Sequence, residues 1–380
     1  MTPMAPQNLI GPAGPLGYPA PFWFIELFKV LGFTLHQVPM HLWYAGIPLV
    51  ALLGLARGER PRRLRARLIT AMPIVIAVGI NLGIVPLLFT QVAYYRTFYP
   101  AGILMAWPWF AVIILLTLAY YGVYLAAVGV RSGWRPRLGA VAIWIAAVLL
   151  VGIGFLFANA FSLMTHVAGW PAIAGRTDAA GAVTGLALNT ADPTLLPRWL
   201  MLFGLALLTA AAYIGLDTAF LAGRETAGYH AFASRTAAVV GTVGLAIFAV
   251  MGWWYIFGRL DRAILDASAR VPTVRIFFAL AAGLPALTWA LLVLQRRGIA
   301  RTGAVAAALV QFLALGANAI ARQWVQNSEL APYLDVTAEP VMMQWSPLVL
   351  FLVLFVLGLG IVGWMIAKVV AVNRREAAPG

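Results

Sequence analysis

The sequence predicts an all-α membrane protein: a polytopic transmembrane helical bundle of about nine helices, with its N-terminus outside the cytoplasm and its C-terminus inside. Three observations predict it. First, 63% of the 380 residues are hydrophobic and only 10% are charged, against roughly 45–50% and 25% in an ordinary soluble domain. With a mean hydropathy of +0.90, the chain carries more apolar surface than one aqueous core can hide. Second, apolar runs of about 20 residues, the length that crosses a hydrocarbon core, recur between Arg, Pro and Gly punctuation. Third, Lys and Arg concentrate on alternate connections between those runs.

The opening stretch, Met1 to Pro21, is rich in Pro and Gly and lacks a basic region followed by an apolar core. It does not read as a cleaved signal peptide but as an ordered or semi-ordered outer segment, residues 1–20. The nine spans follow at about Val30 to Leu55, Leu68 to Tyr94, Ile103 to Val130, Leu138 to Met164, Leu195 to Leu221, Thr236 to Phe257, Ile276 to Leu294, Gly303 to Ala321 and Ser346 to Val370. They form one transmembrane helical domain, 21–370, with a cytoplasmic tail at 371–380. Most of the 26 basic residues sit on one side: Arg57 through Arg67, Arg131, Arg135, Arg137, Arg224, Arg235, Arg296, Arg297, Arg301, Lys368, Arg374 and Arg375. The positive-inside rule makes that side cytoplasmic. Nine spans preserve this asymmetry, and a shifted count scrambles it. No internal repeat stands out, so the pattern does not suggest an inverted-repeat transporter.

The formal net charge of +14 does not point to nucleic acid, which requires basic residues gathered on a solvated face; here they lie in short loops. Without cysteine, the chain forms no disulfide, holds no iron–sulfur cluster through thiolates and attaches no c-type haem covalently. Any cofactor is held by His, Met or non-covalent contacts.

Four histidines are present. His36 falls roughly 9 Å below the outer end of the first span at 1.5 Å per residue. His41 points about 140° away from it on the same helix. His166 closes the fourth span, in the same leaflet as His36. A neutral imidazole between helices is a common haem ligand; the plainer reading is a histidine bonded to a neighbouring helix or headgroup. His230 reads as a solvated cytoplasmic residue. Asp217 is the one clear embedded acid, near the cytoplasmic end of the fifth span, where pairing with Arg224 or snorkelling to water is the expected role. Glu26 and Lys29, three apart, read as an interfacial pair. Asn81, Gln91, Asn159 and Asn318 read as interhelical hydrogen-bonding residues. The clusters Tyr94, Tyr95, Phe98, Tyr99 and Trp253, Trp254, Tyr255 read as interfacial belts, although aromatic walls also suit quinone rings.

Short motifs suggest a family. Phe33 to His36 followed by Pro39 and Met40, Asn81 to Pro86, Asn159 to Trp170, and Ala331 to Asp335 running through Gln344 and Trp345 resemble subunit I of cytochrome bd-type quinol oxidases, particularly their divergent bd-like relatives in bacterial respiratory chains. The resemblance implies nine helices with the N-terminus outside, haem near the outer face, and quinol oxidation at a loop after the sixth helix. It matches His36 to the first-helix ligand of a high-spin haem. Met201 stands where relatives carry the fifth-helix histidine of the low-spin haem. The seventh-helix methionine and the third-helix glutamates have no counterparts here, the segment Leu104 to Trp109 containing no acid. The quinol loop corresponds to Arg259 to Thr273, with Asp261 and Asp266 as its acids.

The leading expectation is a bd-like subunit of a respiratory electron-transfer complex in the inner (cytoplasmic) membrane, a quinol-linked oxidoreductase component. Its site residues are His36, His166 and Met201, with Asp261 and Asp266 at the quinol loop. A b-type haem is the implied cofactor, with His36 on its iron. Quinol is the substrate, and the partners are the lipid bilayer and a cytochrome c or other redox membrane subunits, not nucleic acid. A redox-inert anchor or assembly subunit retaining the fold is the second expectation, and a transporter the third.

Overall fold

The computed structural model describes residues 5–133 and 136–377. Its helices are α1 (Phe22–Leu53), α2 (Glu59–Ala93), α3 (Tyr95–Leu104), α4 (Ala106–Ser132), α5 (Pro136–Thr165), α6 (Trp170–Arg176), α7 (Leu195–Leu216), α8 (Ala227–Gly258), α9 (Arg262–Arg270), α10 (Pro272–Leu294), α11 (Arg301–Leu330) and α12 (Trp345–Ala377). Among the described residues, eight helices are long and apolar enough to cross a membrane: α2, α4, α5, α7, α8, α10, α11 and α12. The ninth expected span is α1. Its 32 residues reach about 48 Å, and it lies against α2, α5, α7 and α11 at the centre of the bundle. His36, Gln37, His41 and two prolines dilute its apolar character. A helix buried among other helices tolerates such residues because they face protein rather than lipid.

Local chemistry sets the helix ends. Glycines at φ 69° (Gly133) and φ 111° (Gly58) terminate α4 and introduce α2, conformations that a Cβ would strain. The Thr226 side chain accepts from the Tyr229 N–H at the start of α8, and Asp261 accepts from Ala263 N–H at the start of α9, each satisfying a donor that the first helical turn leaves orphaned. A π-helical turn, Asp217–Leu221, ends α7.

Four hairpins organise the bundle: α1 with α2, α4 with α5, α7 with α8, and α10 with α11. All four close at the same end, three of them through the arginine-bearing connections 54–58, 222–226 and 295–300; Trp134 and Arg135, between α4 and α5, lie outside the described residues. Every longer connection lies at the other end, where α3, α6, α9 and a small antiparallel hairpin, Asp178–Ala179 with Ala182–Val183, form a cap. The segment before α1 belongs to this cap. Tyr18 forms a parallel bridge with Val341, and its buried hydroxyl donates to the carbonyls of Ala93 and Val336 at 2.8 and 2.9 Å. Arg96 binds the Gly11 carbonyl and Glu339.

One apolar cluster fills the arginine-rich half, around Tyr44, Ile47, Leu64, Met72, Ile143 and Ile214. A second fills the capped half, around Ile25, Tyr94, Met105 and Trp170. α12 stands on the rim with its apolar window unburied, attached through Phe351 and Phe355 to Phe28 and Phe89. The expected tail at 371–380 begins inside α12, which runs on to Ala377; its last residues, 378–380, lie outside the described residues, as do 1–4 of the N-terminal segment.

Candidate functional site

Between α1, α2, α5, α7, α8, α10 and α11 lies a cavity of about 820 Å³, within the range of roughly 300–1,000 Å³ usual for ligand pockets. Its walls are apolar and aromatic, including Phe33, Trp43, Phe157, Phe248 and Phe278. Its polar groups gather towards the capped end.

His36 projects into this cavity from α1 because α2 makes room for it. A Cβ on Gly83 would stand 2.8 Å from the His36 ring, and one on Gly79 would stand 2.7 Å from the Trp43 ring. These two glycines, one turn apart on α2, therefore seat the α1 side chains. The Gly79 carbonyl lies 2.9 Å from His36 Nδ1. A carbonyl only accepts, so Nδ1 carries the proton and Nε2 keeps its lone pair. Trp43 meets the ring edge-on at 6.3 Å. Met201 lines the same cavity from α7, its thioether against Gly252 of α8.

The head of the cavity is basic. Lys29, Arg198 and Arg322 line it, and Glu329 is the one carboxylate that does. Lys29 donates to Gln323 at 2.5 Å and Gln326 at 2.9 Å and sits 4.4 Å over the Tyr94 ring. Arg198 pairs with Glu329 at 3.1 Å and Asp192 at 3.5 Å. Arg322 lies between the rings of Phe33 and Phe161, at 5.0 and 5.4 Å, and makes no salt bridge among the described residues. Burial of a cation without a bonded carboxylate, as at Arg322, is costly unless a counter-charge arrives, so the head is suited to an anionic group. Behind it, Asp192 accepts from Ser162 and from the Thr194 N–H and hydroxyl. Burial pushes this carboxyl up, but the Ser162 hydroxyl, the Arg198 guanidinium and the Thr194 donors outweigh that and hold it below its ordinary value.

Two of the site residues expected from the sequence, His36 and Met201, thus line one cavity. His166 does not: at the end of α5 its Nδ1 bonds Asn189 at 3.0 Å within the cap. Asp261 and Asp266 are exposed on α9, Asp261 as its N-cap. His41 faces α7, where Nδ1 lies 3.0 Å from the Thr209 hydroxyl, so the two α1 histidines do serve different faces. His230 bonds the Ala222 carbonyl at 3.1 Å. Asp217 pairs with Arg67, at 2.7 and 2.9 Å, rather than with its sequence neighbour Arg224. Lys29 and Glu26 are not paired with each other: Lys29 is buried on the glutamines, and Glu26 accepts from Asn327 at 2.6 Å.

The head residues escaped the sequence reading. The eighth span was expected to end at Ala321, which leaves Arg322, Gln323, Gln326 and Glu329 in a loop; α11 in fact continues to Leu330. The signal was present. Apolar Trp324 and Val325 stand four residues after Ile320 and Ala321, which continues the helical spacing, and the first breaker after Gly316 is Pro332.

The fold is similar to that of a chain in the structure of bd oxidase from Geobacillus thermodenitrificans, with a TM-score of 0.70 over 95% of this chain and 99% of that chain, at 12% sequence identity. At that identity the likeness is one of fold. No protein-family model matches the chain, and no curated protein sequence does.

Proposed function

We propose that this bd-oxidase-like membrane protein is a subunit of a respiratory electron-transfer complex and that its cavity holds a non-covalent b-type haem on His36. The observation that carries the reading is the His36 ring: it lines a large apolar cavity with Nδ1–H tied to the Gly79 carbonyl, so that the basic nitrogen left over is Nε2. Second-shell bonding of this kind fixes the tautomer and orientation of metal-binding histidines. The remaining residues fit the same group. A porphyrin is a flat apolar body with two carboxylates on one edge, and the cavity offers aromatic walls with Lys29, Arg198 and Arg322 at one end. A guanidinium matches a carboxylate in geometry as well as charge. Met201 is a second soft donor on the cavity wall, whereas His166 does not line the cavity.

A haem so bound supplies one-electron redox chemistry. The chain's own contribution is to hold it, through His36 and the basic head, and to keep water away from it with Phe33, Trp43 and Phe157. Quinol is the proposed donor: the cavity wall includes Trp253 and Phe257, both largely exposed on the lipid side of α8, a surface from which a lipophilic ring can approach, with Asp261 and Asp266 on the adjoining α9. A cytochrome c or another redox subunit is the proposed acceptor. The concentration of arginine at one end supports, by the positive-inside rule, a topology with the arginine-rich end cytoplasmic and the N-terminus and capped end outside; the inner membrane is the proposed location.

A reduced-minus-oxidised visible spectrum of the purified protein tests this. A Soret band stoichiometric with protein is expected, lost in His36→Ala and kept in His230→Ala, with both variants folded. A full haem complement with an unchanged spectrum in His36→Ala overturns the assignment. Protein without any haem leaves the redox-inert anchor as the better reading.

A further inference from the structure

On the opposite side of α1 from His36, a set of polar side chains is sealed inside the bundle with its hydrogen bonds incomplete. Gln37 and His41 lie one turn apart on the same face of α1, and both are fully buried. Across from them the Thr209 hydroxyl of α7 donates to the Leu205 carbonyl at 3.0 Å, so its oxygen accepts from His41 Nδ1 at 3.0 Å and from Gln311 Nε2 of α11 at 3.0 Å. His41 is therefore protonated on Nδ1, and its Nε2 is a bare acceptor. Among the described residues, His41 Nε2, the Gln311 oxygen and both amide atoms of Gln37 have no partner. The set is complementary: Gln37 brings a donor pair and an acceptor, and the other two bring acceptors. Water, with two donors and two acceptors, closes such a set, and internal waters characteristically bridge two to four otherwise unsatisfied buried groups.

The polar line does not stop there. Thr209, Tyr213 and Asp217 follow one another at four-residue spacing along α7, about 12 Å of helix. Asp217 stands in the π-helical turn, a feature frequent at functional positions. Beside it the fully buried Tyr229 hydroxyl of α8 also lacks a partner among the described residues. Arg67, which holds Asp217, is itself 24% exposed and brings the line to the arginine-rich surface.

We infer that bound water occupies the space between Gln37, His41 and Gln311 and continues along α7 to Asp217, giving protons from the arginine-rich end access to the middle of the bundle. In such a chain each water takes one proton and passes another on. The chain ends at His41, whose Nε2 lone pair accepts a hydrogen bond from the last water while Nδ1–H stays on Thr209. This site is built from different residues than the cavity and does not depend on haem being bound.

Millisecond X-ray radiolysis of the purified full-length protein in detergent tests it, because bound water converted to hydroxyl radical oxidises the side chains it touches. His41 and Tyr229 are expected to be oxidised well above Met72, which is equally buried but lies against Gly46 of α1 and not on the polar line, although free methionine reacts faster than most side chains. Unlabelled His41 overturns the site. Gln37→Leu gives a second reading: it is expected to lower both Tm and His41 labelling, whereas a dry, orphaned amide would make the leucine variant more stable, and a raised Tm overturns the proposal. The route is read by mixing into H₂¹⁸O before the pulse. Tyr229→Phe and Thr209→Val are expected to slow appearance of the label at His41 at least tenfold. An unchanged rate in both variants means that water arrives from elsewhere and overturns the path along α7.

Discussion

At His36 the decisive neighbour is an atom that is missing. Because a Cβ on Gly83 would stand 2.8 Å from the imidazole, Gly83→Ala is expected to push the ring off its bond to the Gly79 carbonyl and to cut haem content at least several-fold, read from the spectrum. Gly102→Ala, whose Cβ meets nothing within 4 Å, is expected to change neither haem nor Tm. Asp217 is the counterpart at the arginine-rich end. Its carboxylate is buried and doubly bonded by Arg67, and removing one partner of a buried pair costs about 3–5 kcal/mol, much of it for the charge left behind. Asp217→Ala should therefore lower Tm markedly in a thermal-shift measurement, and Arg67→Met combined with Asp217→Leu should recover most of the loss. Asp192 adds a pH dependence. Its carboxyl is held below the ordinary 3.8 in the folded protein, so its contribution is complete above that value and fades as pH falls below it; Asp192→Asn is expected to flatten the acid limb of Tm against pH.

Among the elements, α11 carries the most unexpected chemistry. Its last turns raise Arg322 to the cavity head, held by aromatic faces and without a salt bridge among the described residues. An ion pair between this guanidinium and a ligand carboxylate is worth about 1.5–3 kcal/mol, or roughly ten- to hundredfold in affinity. Arg322→Met is thus expected to weaken haem retention by that factor in a haem-transfer titration while leaving Tm near the parent value; undiminished retention would remove Arg322 from the site. The same helix shows where sequence is informative. Span positions were readable because about 20 apolar residues in a row have few destinations, and α4, α5, α7 and α10 begin and end within a turn or two of the hydropathy limits. The head of the cavity was not readable, since Lys29, Arg198 and Arg322 register as boundary residues when counted by charge, and only their neighbours on other helices show that they converge. Asp217 makes the same point: proximity in sequence favours Arg224, but the α1–α2 hairpin brings Arg67 from 150 residues away.

For the whole molecule, the four hairpins explain how a chain with so few charges specifies its arrangement. Each is closed at the arginine-rich end by a short connection, and every intervening segment that must reach the opposite side carries structure of its own. A reporter fused within 57–67 is expected to behave as cytoplasmic and one fused near Asp178 as external, in a paired alkaline phosphatase and fluorescent protein assay. The reverse pattern would invert the bundle and the proposed placement of the haem with it.

The bridge between Tyr18 and Val341 also gives the structure a chronology. Each hairpin is complete once its second helix has left the ribosome, so the scaffold grows stepwise from α1. The lid over the capped end cannot be finished in that way, because the backbone at Tyr18 waits for a partner made more than three hundred residues later. During synthesis the N-terminal segment remains unlatched while the walls of the cavity assemble beneath it. If the proposed haem is bound, that interval is the window for loading it, and the loop before α12 is what shuts it.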